Sequence, residues 1–323
     1  MSSSPRRHLS FRSLSISATL VGLVAVATAG TVGATPPPAA GRPTIFMKVH
    51  DAKPVRGGGS VNLTYHGGVG GLGVVTGADK VYLVYWGSQW GTNGSNDPSG
   101  EVGIQQGFFS NVGGSGWNNS VTQYCQGVAS GTIFCNGAGT PAANPSGSLI
   151  GGTWFDSGTA APSHPTQSQL AGEAARAATH FGNQPNTQVQ YVINTATGNS
   201  ASGFGTQYCA WHSSTSSSSG LIAYTNMPYI TDAGASCGAN FNNLGPNAGI
   251  TIVGGHEFAE TETDIFPNGG WLDSKGGENG DKCAWISSGQ GASANVPMGS
   301  ASFPVQSLWS NAFNGGRGGC VNN

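Results

Sequence analysis

The chain has 323 residues, of which 12 are Lys or Arg and 14 are Asp or Glu, so that only 8% of it is charged, whereas an ordinary soluble domain has about 25%. This shortage of charge excludes a coiled coil, and the formal net charge of −2 offers no basic surface for nucleic acid or for an anionic membrane. Because 37% of the residues are hydrophobic, the chain can bury a packed core and is not a disordered polyelectrolyte.

The first 29 residues have the pattern of a secretory signal peptide. Arg6, Arg7 and Arg12 precede an apolar stretch at 16–29, which ends in the small residues of a cleavage site. We expect general secretion rather than the twin-arginine route, and a mature start at Gly30. The apolar stretch is too short to span a bilayer after export. The sequence therefore predicts a secreted, extracellular protein that is not membrane-bound.

Residues 30–60 are predicted to form a Pro- and Gly-rich linker or a pro-segment, and residues 61–323 a single secreted domain. Within that domain, Asp97 and Pro98 predict the start of a helix, and Thr166 with Gln169 predicts a capping box for a second one. Runs of β-branched and aromatic residues predict buried strands; these runs lie at 81–86, 189–193 and 221–224.

The segment between the last two predicted strands contains residues 209–212 and then a Ser-rich stretch at 213–220. Its composition predicts a flexible surface loop. The prediction places His212 at the beginning of that loop.

Six cysteines in an exported chain predict three disulfides. The sequence alone leaves the pairing open, but closure of local loops favours Cys125 with Cys135, Cys209 with Cys237, and Cys283 with Cys320. No C-x-x-C motif occurs, so the cysteines do not predict a thiolate zinc site.

Half of the acidic residues are concentrated in one short segment. Seven of the 14 lie between Glu257 and Asp281, where only Lys275 and Lys282 supply positive charge. Like charges that lie close together are unfavourable unless a cation lies among them. This concentration predicts a cation site or another function for the segment.

The segment 248–264 is predicted to be a helix, and its centre reads His256-Glu257-Phe-Ala-Glu260. Residues four apart lie on one helix face, about 6 Å from each other, so His256 and Glu260 can reach the same ion. Glu257 lies beside that face, where a carboxylate can accept a proton from a water activated by the metal. The spacing is that of a helical zinc hydrolase site.

The segment H-E-F-A-E-T-E-T-D, together with Glu278 and Asp281, resembles the active-site helix of the gluzincins, the thermolysin-like zinc metallopeptidases. The resemblance implies that His256 and Glu278 are zinc ligands and that Glu257 is the general base. It covers residues 256–281 only, and it departs from the gluzincin pattern at Glu260, where that family has a second His. The fold it implies is α+β: a zincin-like mixed sheet, an active-site helix and a disulfide-stapled, loop-rich C-terminal lobe.

A ligand set of His256, Glu260 and Glu278 carries two negative charges, so it would hold Zn²⁺ but would also tolerate Ca²⁺ as an additional or alternative ion. His212 would restore a second imidazole, either as a ligand or as a hydrogen-bond donor to the oxyanion of the reaction. Three further acids of the segment are expected to orient ligands or to bind Ca²⁺: Asp264, Asp273 and Asp281.

A second resemblance covers more of the chain. Residues 65–68, 81–87 and 209–211, with the cysteine-bounded C-terminus, are similar to the secreted Exordium or phosphate-induced proteins of plants and to their uncharacterised bacterial relatives. That family is extracellular and is regarded as growth-signalling, without an established activity. It implies the alternative to an enzyme, a non-catalytic extracellular or cell-wall protein with a structural Ca²⁺ site.

Two other hydrolase classes have weaker support. Residues 234–238 match G-x-S-x-G, but Cys237 is expected in a disulfide and no strand-turn-helix context surrounds Ser236. Glu257 and Glu278 would also suit a glycosidase pair, although nothing singles this out. The favoured prediction is a monomeric zinc metallopeptidase that hydrolyses peptide or protein substrates.

Overall fold

In the computed structural model, the described residues are Ile45–Lys48 and 62–323. The expected signal peptide at 1–29 and most of the segment 30–60 lie outside these residues. Among the described residues, no helix is both long and apolar enough to cross a membrane.

The described chain contains fourteen strands, five α-helices and six short 3₁₀ helices. The strands are β1 Ile45–Lys48, β2 Thr64–Tyr65, β3 Lys80–Trp86, β4 Cys125–Gln126, β5 Thr140–Pro141, β6 Ile150–Asp156, β7 Val189–Thr195, β8 Tyr208–Ser217, β9 Gly220–Met227, β10 Trp271–Leu272, β11 Ala294–Met298, β12 Ala301–Val305, β13 Leu308–Ser310 and β14 Gly319–Val321. The α-helices are α1 Glu101–Asn111, α2 Gly116–Asn119, α3 Gln167–His180, α4 Ala248–Thr263 and α5 Phe313–Gly316. The 3₁₀ helices are Ser88–Trp90, Thr92–Gly94, Ser120–Gln123, Ile230–Cys237, Phe241–Asn243 and Asp281–Cys283.

Six strands form one mixed sheet in the order β1-β8-β9-β7-β3-β6. Strands β6, β3, β7 and β9 run parallel to one another, whereas β8 pairs antiparallel with β9 and β1 pairs antiparallel with β8. The mixed α+β class and the mixed sheet are thus confirmed.

Helices cover both faces of this sheet. Along β3, Val81, Leu83 and Tyr85 belong to the core cluster that includes residues of α1 and α4, while Tyr82 and Val84 belong to the cluster that includes residues of α3. Successive side chains of a strand point to opposite faces. This explains why the strand reads as a continuous hydrophobic run, since a sheet covered on both sides has no polar face.

The three predicted buried strands are confirmed as parts of β3, β7 and β9. The capping box of α3 is also confirmed, with Thr166 and Gln169 exchanging hydrogen bonds. The first predicted helix starts later than expected, because α1 begins at Glu101 after a left-handed Gly100. The Asp97 carboxylate still accepts the backbone N–H groups of the first helical turn.

The prediction of a flexible loop over 213–220 was wrong. Tyr208–Ser217 is strand β8, which forms a tight hairpin with β9, and Ser213 pairs with Tyr224. Composition failed here because strand formation depends on pairing and burial more than on intrinsic preference. His212 therefore lies inside the sheet and not in a surface loop.

The C-terminal part of the chain consists of short hairpins and loops. Strands β11 and β12 pair with each other, as do β13 and β14, and β12 packs against α4. All three predicted disulfides are confirmed: Cys125–Cys135, Cys209–Cys237 and Cys283–Cys320. The last of them ties the loop after β10 to the C-terminal strand.

Candidate metal site

Helix α4 begins at Ala248 and ends at Thr263, close to the predicted bounds, and nearly all of its residues are buried. A helix that is buried on all sides carries apolar residues all round, and its polar residues then need partners. His256 and Glu260 lie one turn apart on the helix, with 3.0 Å between His256 Nε2 and Glu260 Oε1. The expected juxtaposition of these two side chains is therefore present.

His212 approaches the same place from the sheet. Ala210, two residues earlier on β8, belongs to the core cluster on the α4 side, and alternation along the strand directs His212 to that side too. Its Nε2 atom lies 2.9 Å from Glu278 Oε2 and 3.7 Å from Glu260 Oε2.

Glu278 comes from the loop between β10 and the 3₁₀ helix Asp281–Cys283. This loop is fixed directly to α4: the Asn279 side chain donates to the carbonyl of Ala259, and the backbone N–H of Asp281 donates to Glu260 Oε1 at 2.9 Å. Asp281 Oδ1 lies 3.9 Å from His256 Nε2.

The five side chains form two overlapping groups with the geometry of a metal site, one of His212, Glu260 and Glu278, the other of His256, Glu260 and Asp281. In each group the possible ligand atoms lie within 4.8 Å of one another. Glu260 belongs to both groups, so it is the centre of the arrangement. We call these five residues the His–Glu cluster.

Four of the five residues of the cluster are completely buried, which distinguishes it from an ordinary acidic surface; Asp281 is partly exposed. His212, His256, Glu260 and Glu278 are each 0% exposed. No Lys or Arg among the described residues forms an ion pair with them, since Lys282 pairs instead with Asp273. Burying two glutamates is unfavourable unless a positive charge lies among them, and in this cluster only a protonated histidine or a bound cation can supply it.

Mutual interactions shift the pKa values of the cluster in opposite directions. Burial lowers the pKa of His212 to about 4. Burial also opposes the charge on His256, but the adjacent Glu260 carboxylate outweighs it and raises the pKa of His256 to about 10. Glu260 has a pKa below its usual value because His256 overcomes the effect of burial. Burial and the neighbouring Glu260 raise the pKa of Glu278 well above its usual value.

Two buried carboxylate oxygens of the cluster, Glu260 Oε2 and Glu278 Oε1, lack a hydrogen-bond partner among the described residues, and His256 Nε2 faces Glu260 Oε1. Imidazole nitrogen and carboxylate oxygen are ligands that Zn²⁺ accepts. An ion in this position would replace the proton that otherwise binds His256 and would satisfy these atoms. The residues present therefore fit a divalent transition metal.

Gln306, just after β12, fixes the ring of His256. Its Nε2 donates to the carbonyl of Gly280 at 2.8 Å, which leaves its Oε1 facing His256 Nδ1 at 3.2 Å. His256 then carries a hydrogen on Nδ1, and its Nε2 faces Glu260, where it holds a proton or, once that proton is lost, can bind an ion. Outer partners of this kind set the tautomer and orientation of metal-binding histidines.

Position 280 has no room for a side chain, because its backbone lies close to His256 and Glu260. A Cβ atom added there would lie 2.8 Å from His256 Nδ1 and 2.9 Å from Glu260 Oε1, closer than side-chain atoms are normally found. Neither Gly280 nor Gln306 was identified from the sequence as part of the site. Local sequence patterns do not predict contacts between residues that are far apart in the chain.

Glu257, the expected general base, lies on α4 next to His256 and is 1% exposed. The Glu257 carboxylate interacts electrostatically with His256 and raises the pKa of that residue. It belongs to neither of the two ligand groups. This is consistent with a role beside the ligands and not among them.

The other acids of the segment serve the fold. Asp264 accepts the backbone N–H groups of Asn268, Gly269 and Gly270, and Asp273 accepts those of Lys275 and Gly277. Both carboxylates cap turns, although Asp264 also raises the pKa of Glu278. Of the seven acids, the structure thus places Glu260, Glu278 and Asp281 in the cluster and Glu257 beside it, while Asp264 and Asp273 hold turns.

The G-x-S-x-G match has no catalytic surroundings. Residues 234–238 overlap the 3₁₀ helix Ile230–Cys237, and Cys237 is bonded to Cys209. The strand, sharp turn and helix that such a nucleophile needs are not found around Ser236.

Comparison with known proteins gives no match to this chain, whether protein families, curated proteins or solved structures are considered.

Proposed function

We propose that the chain is a secreted metal-dependent peptidase, with His256, Glu260 and Glu278 as the protein ligands of Zn²⁺. Glu260 belongs to both groups of possible ligands, whereas His256 and Glu278 belong to different ones, so this set requires the two groups to share one ion. The observation that carries this proposal is the His–Glu cluster: buried imidazoles and carboxylates from a helix, a strand and a loop converge, and among the described residues no Lys or Arg forms an ion pair with them. The zincin-like character of the fold and the gluzincin resemblance belong to the same proposal. The three disulfides support export to an oxidising compartment.

The composition of the cluster favours zinc over calcium. Calcium takes six to eight oxygen ligands, whereas two imidazoles lie in this cluster and are typical ligands of Zn²⁺ and other transition metals. A bound Zn²⁺ would polarise the scissile carbonyl and make water more acidic.

In this proposal, different residues of the site position the ligands, transfer the proton and bind the substrate oxyanion. Gln306 orients His256, and Asp281 holds Glu260 through its backbone N–H, so the ligands are fixed before substrate binds. Glu257 takes a proton from the attacking water and transfers it to the leaving amine. His212 Nε2, next to Glu278, serves as a further ligand or donates a hydrogen bond to the oxyanion of the substrate.

The test of this function is Glu257→Gln. This substitution keeps the size of the side chain but removes the proton acceptor, so peptide hydrolysis should fall by about 10²- to 10⁴-fold, while the metal content stays unchanged. Activity is measured with a mixture of quenched fluorescent peptides on the zinc-loaded protein. Glu101→Gln is the matched control, because Glu101 is also a buried glutamate but lies outside the cluster. Full activity in Glu257→Gln would refute the assignment.

Burial of the cluster favours a second candidate, a non-catalytic extracellular protein of Exordium type with a structural ion. Structural metal sites are closed, whereas catalytic sites keep an open position. In that case the metal-loaded wild-type protein hydrolyses none of the peptides, and removal of the ion lowers the melting temperature without an activity to lose.

A further inference from the structure

The outermost strand of the large sheet comes from the segment that precedes the folded domain. The backbone of Ile45–Lys48 pairs antiparallel with β8, which lies more than 150 residues further along the chain, and forms no other strand pair. The register places Ile45 opposite His212 and Met47 opposite Ala210.

This strand lies directly beside the His–Glu cluster. Its partner in the register, His212, is a member of the cluster, and β1 also contacts helix α4, which carries Glu257 and Glu260. An extended polypeptide in this position therefore passes the two elements that supply most of the cluster.

The sequence on either side of β1 is that of a connector. Residues 35–43 read T-P-P-P-A-A-G-R-P, and residues 53–59 read K-P-V-R-G-G-G, compositions typical of linkers and turns. Among the described residues, the four of Ile45–Lys48 lie between these segments and pair with the sheet. Main-chain pairing at a sheet edge is largely independent of sequence, so the edge of β8 that accepts these four residues can accept another extended chain.

We infer that the outer edge of β8, along Tyr208–His212, is a binding site for an extended polypeptide, and that Ile45–Lys48 is its resident occupant. The identification of the competing ligand as a substrate peptide rests on the proposed peptidase function. Strand binding itself requires neither a metal nor turnover. In the intact chain the tethered strand competes with any peptide at an effective concentration on the order of millimolar.

The experiment uses the full chain with a recognition sequence for a specific protease in place of residues 57–59. The Glu257→Gln substitution is included so that bound peptide is not consumed. A fluorescein-labelled peptide with the sequence of residues 43–50 is titrated before and after cleavage, and binding is followed by fluorescence anisotropy. We expect the cleaved protein to bind at least about tenfold more tightly, because the tethered competitor is lost.

A peptide with Pro in place of Phe46 and Met47 is the control, since it lacks two backbone N–H groups and should not bind. Hydrogen exchange supplies a second readout: the backbone amides of Tyr208–His212 that face β1 should exchange faster once the N-terminal fragment has dissociated. Equal affinity before and after cleavage, equal binding of the Pro peptide, or unchanged exchange after fragment release would each overturn the inference. None of these outcomes depends on metal or on hydrolysis, so they are distinct from a failure of the peptidase assignment.

Discussion

Glu101 in α1 and Glu260 in α4 are both buried glutamates, yet the molecule accommodates them in opposite ways. Glu101 accepts hydrogen bonds from the backbone N–H and the hydroxyl of Thr231, and burial raises its pKa to about 8. Glu260 lies between two imidazoles and has a pKa below its usual value.

Burying a charged carboxylate is energetically unfavourable, and the two residues avoid this penalty in different ways. Glu101 takes up a proton near neutral pH and is satisfied by donors of the protein. Glu260 stays charged and is surrounded by groups that also bind cations. A buried charge persists only with a partner of opposite charge. Protonated His256 is that partner for Glu260, and a metal ion that displaces this proton would take its place, so the surroundings of Glu260, and not those of Glu101, suit an ion site.

The largest expected effect on zinc affinity follows from removing the charge of Glu260. Glu260→Gln removes the ligand shared by both groups, so the affinity for Zn²⁺ should fall by more than about 100-fold, since loss of even an outer partner costs about 10- to 100-fold. Competition with a chromogenic zinc chelator measures the change. Glu101→Gln should bind zinc like the wild type, and equal losses in the two variants would remove the distinction between the regions.

A smaller effect is expected from the outer partner of His256. Gln306→Ala leaves every ligand in place but releases the ring, so zinc affinity should fall by about 10-fold, the lower end of the range for such partners. The same chelator competition applies. Gln105→Ala, which also removes a buried glutamine but lies away from the cluster, provides the comparison; identical affinities would show that Gln306 does not position His256.

A third effect concerns the stability of the Glu101 region and not the affinity for an ion. Its folded-state pKa of about 8 exceeds the unfolded value, so its contribution to stability is complete below the unfolded pKa and is lost as the pH rises towards 8. While the group titrates, the wild type should lose about 1.4 kcal/mol per pH unit relative to Glu101→Gln. Urea unfolding of both proteins between pH 5 and 8 tests this, and parallel curves would contradict it.

Local rules predicted a large part of the fold. Helix α4, the capping box of α3 and the buried strands follow from periodicity and capping chemistry, and short loops favoured the disulfide pairing that the structure has. The proximity of His256 and Glu260 follows from helix geometry alone, since four residues make about one turn.

Non-local contacts account for what the sequence did not reveal. His212 was placed in a Ser-rich loop because β8 becomes a strand only through pairing with β9 and β1. Gln306 is separated from His256 by 50 positions, and its contact depends on the packing of β12 against α4. Asp264 was expected to orient ligands or to bind Ca²⁺; it shares a hydrogen bond with Glu278, and its three backbone N–H partners form a turn that the composition did not specify.

The most direct test of the account is the metal content of the mature protein, exported and purified without chelators and measured by mass spectrometry of the elements. The His–Glu cluster predicts about one zinc per chain, as expected for a site of imidazole and carboxylate ligands. A protein that contains no transition metal, and binds none when zinc is supplied, would contradict it.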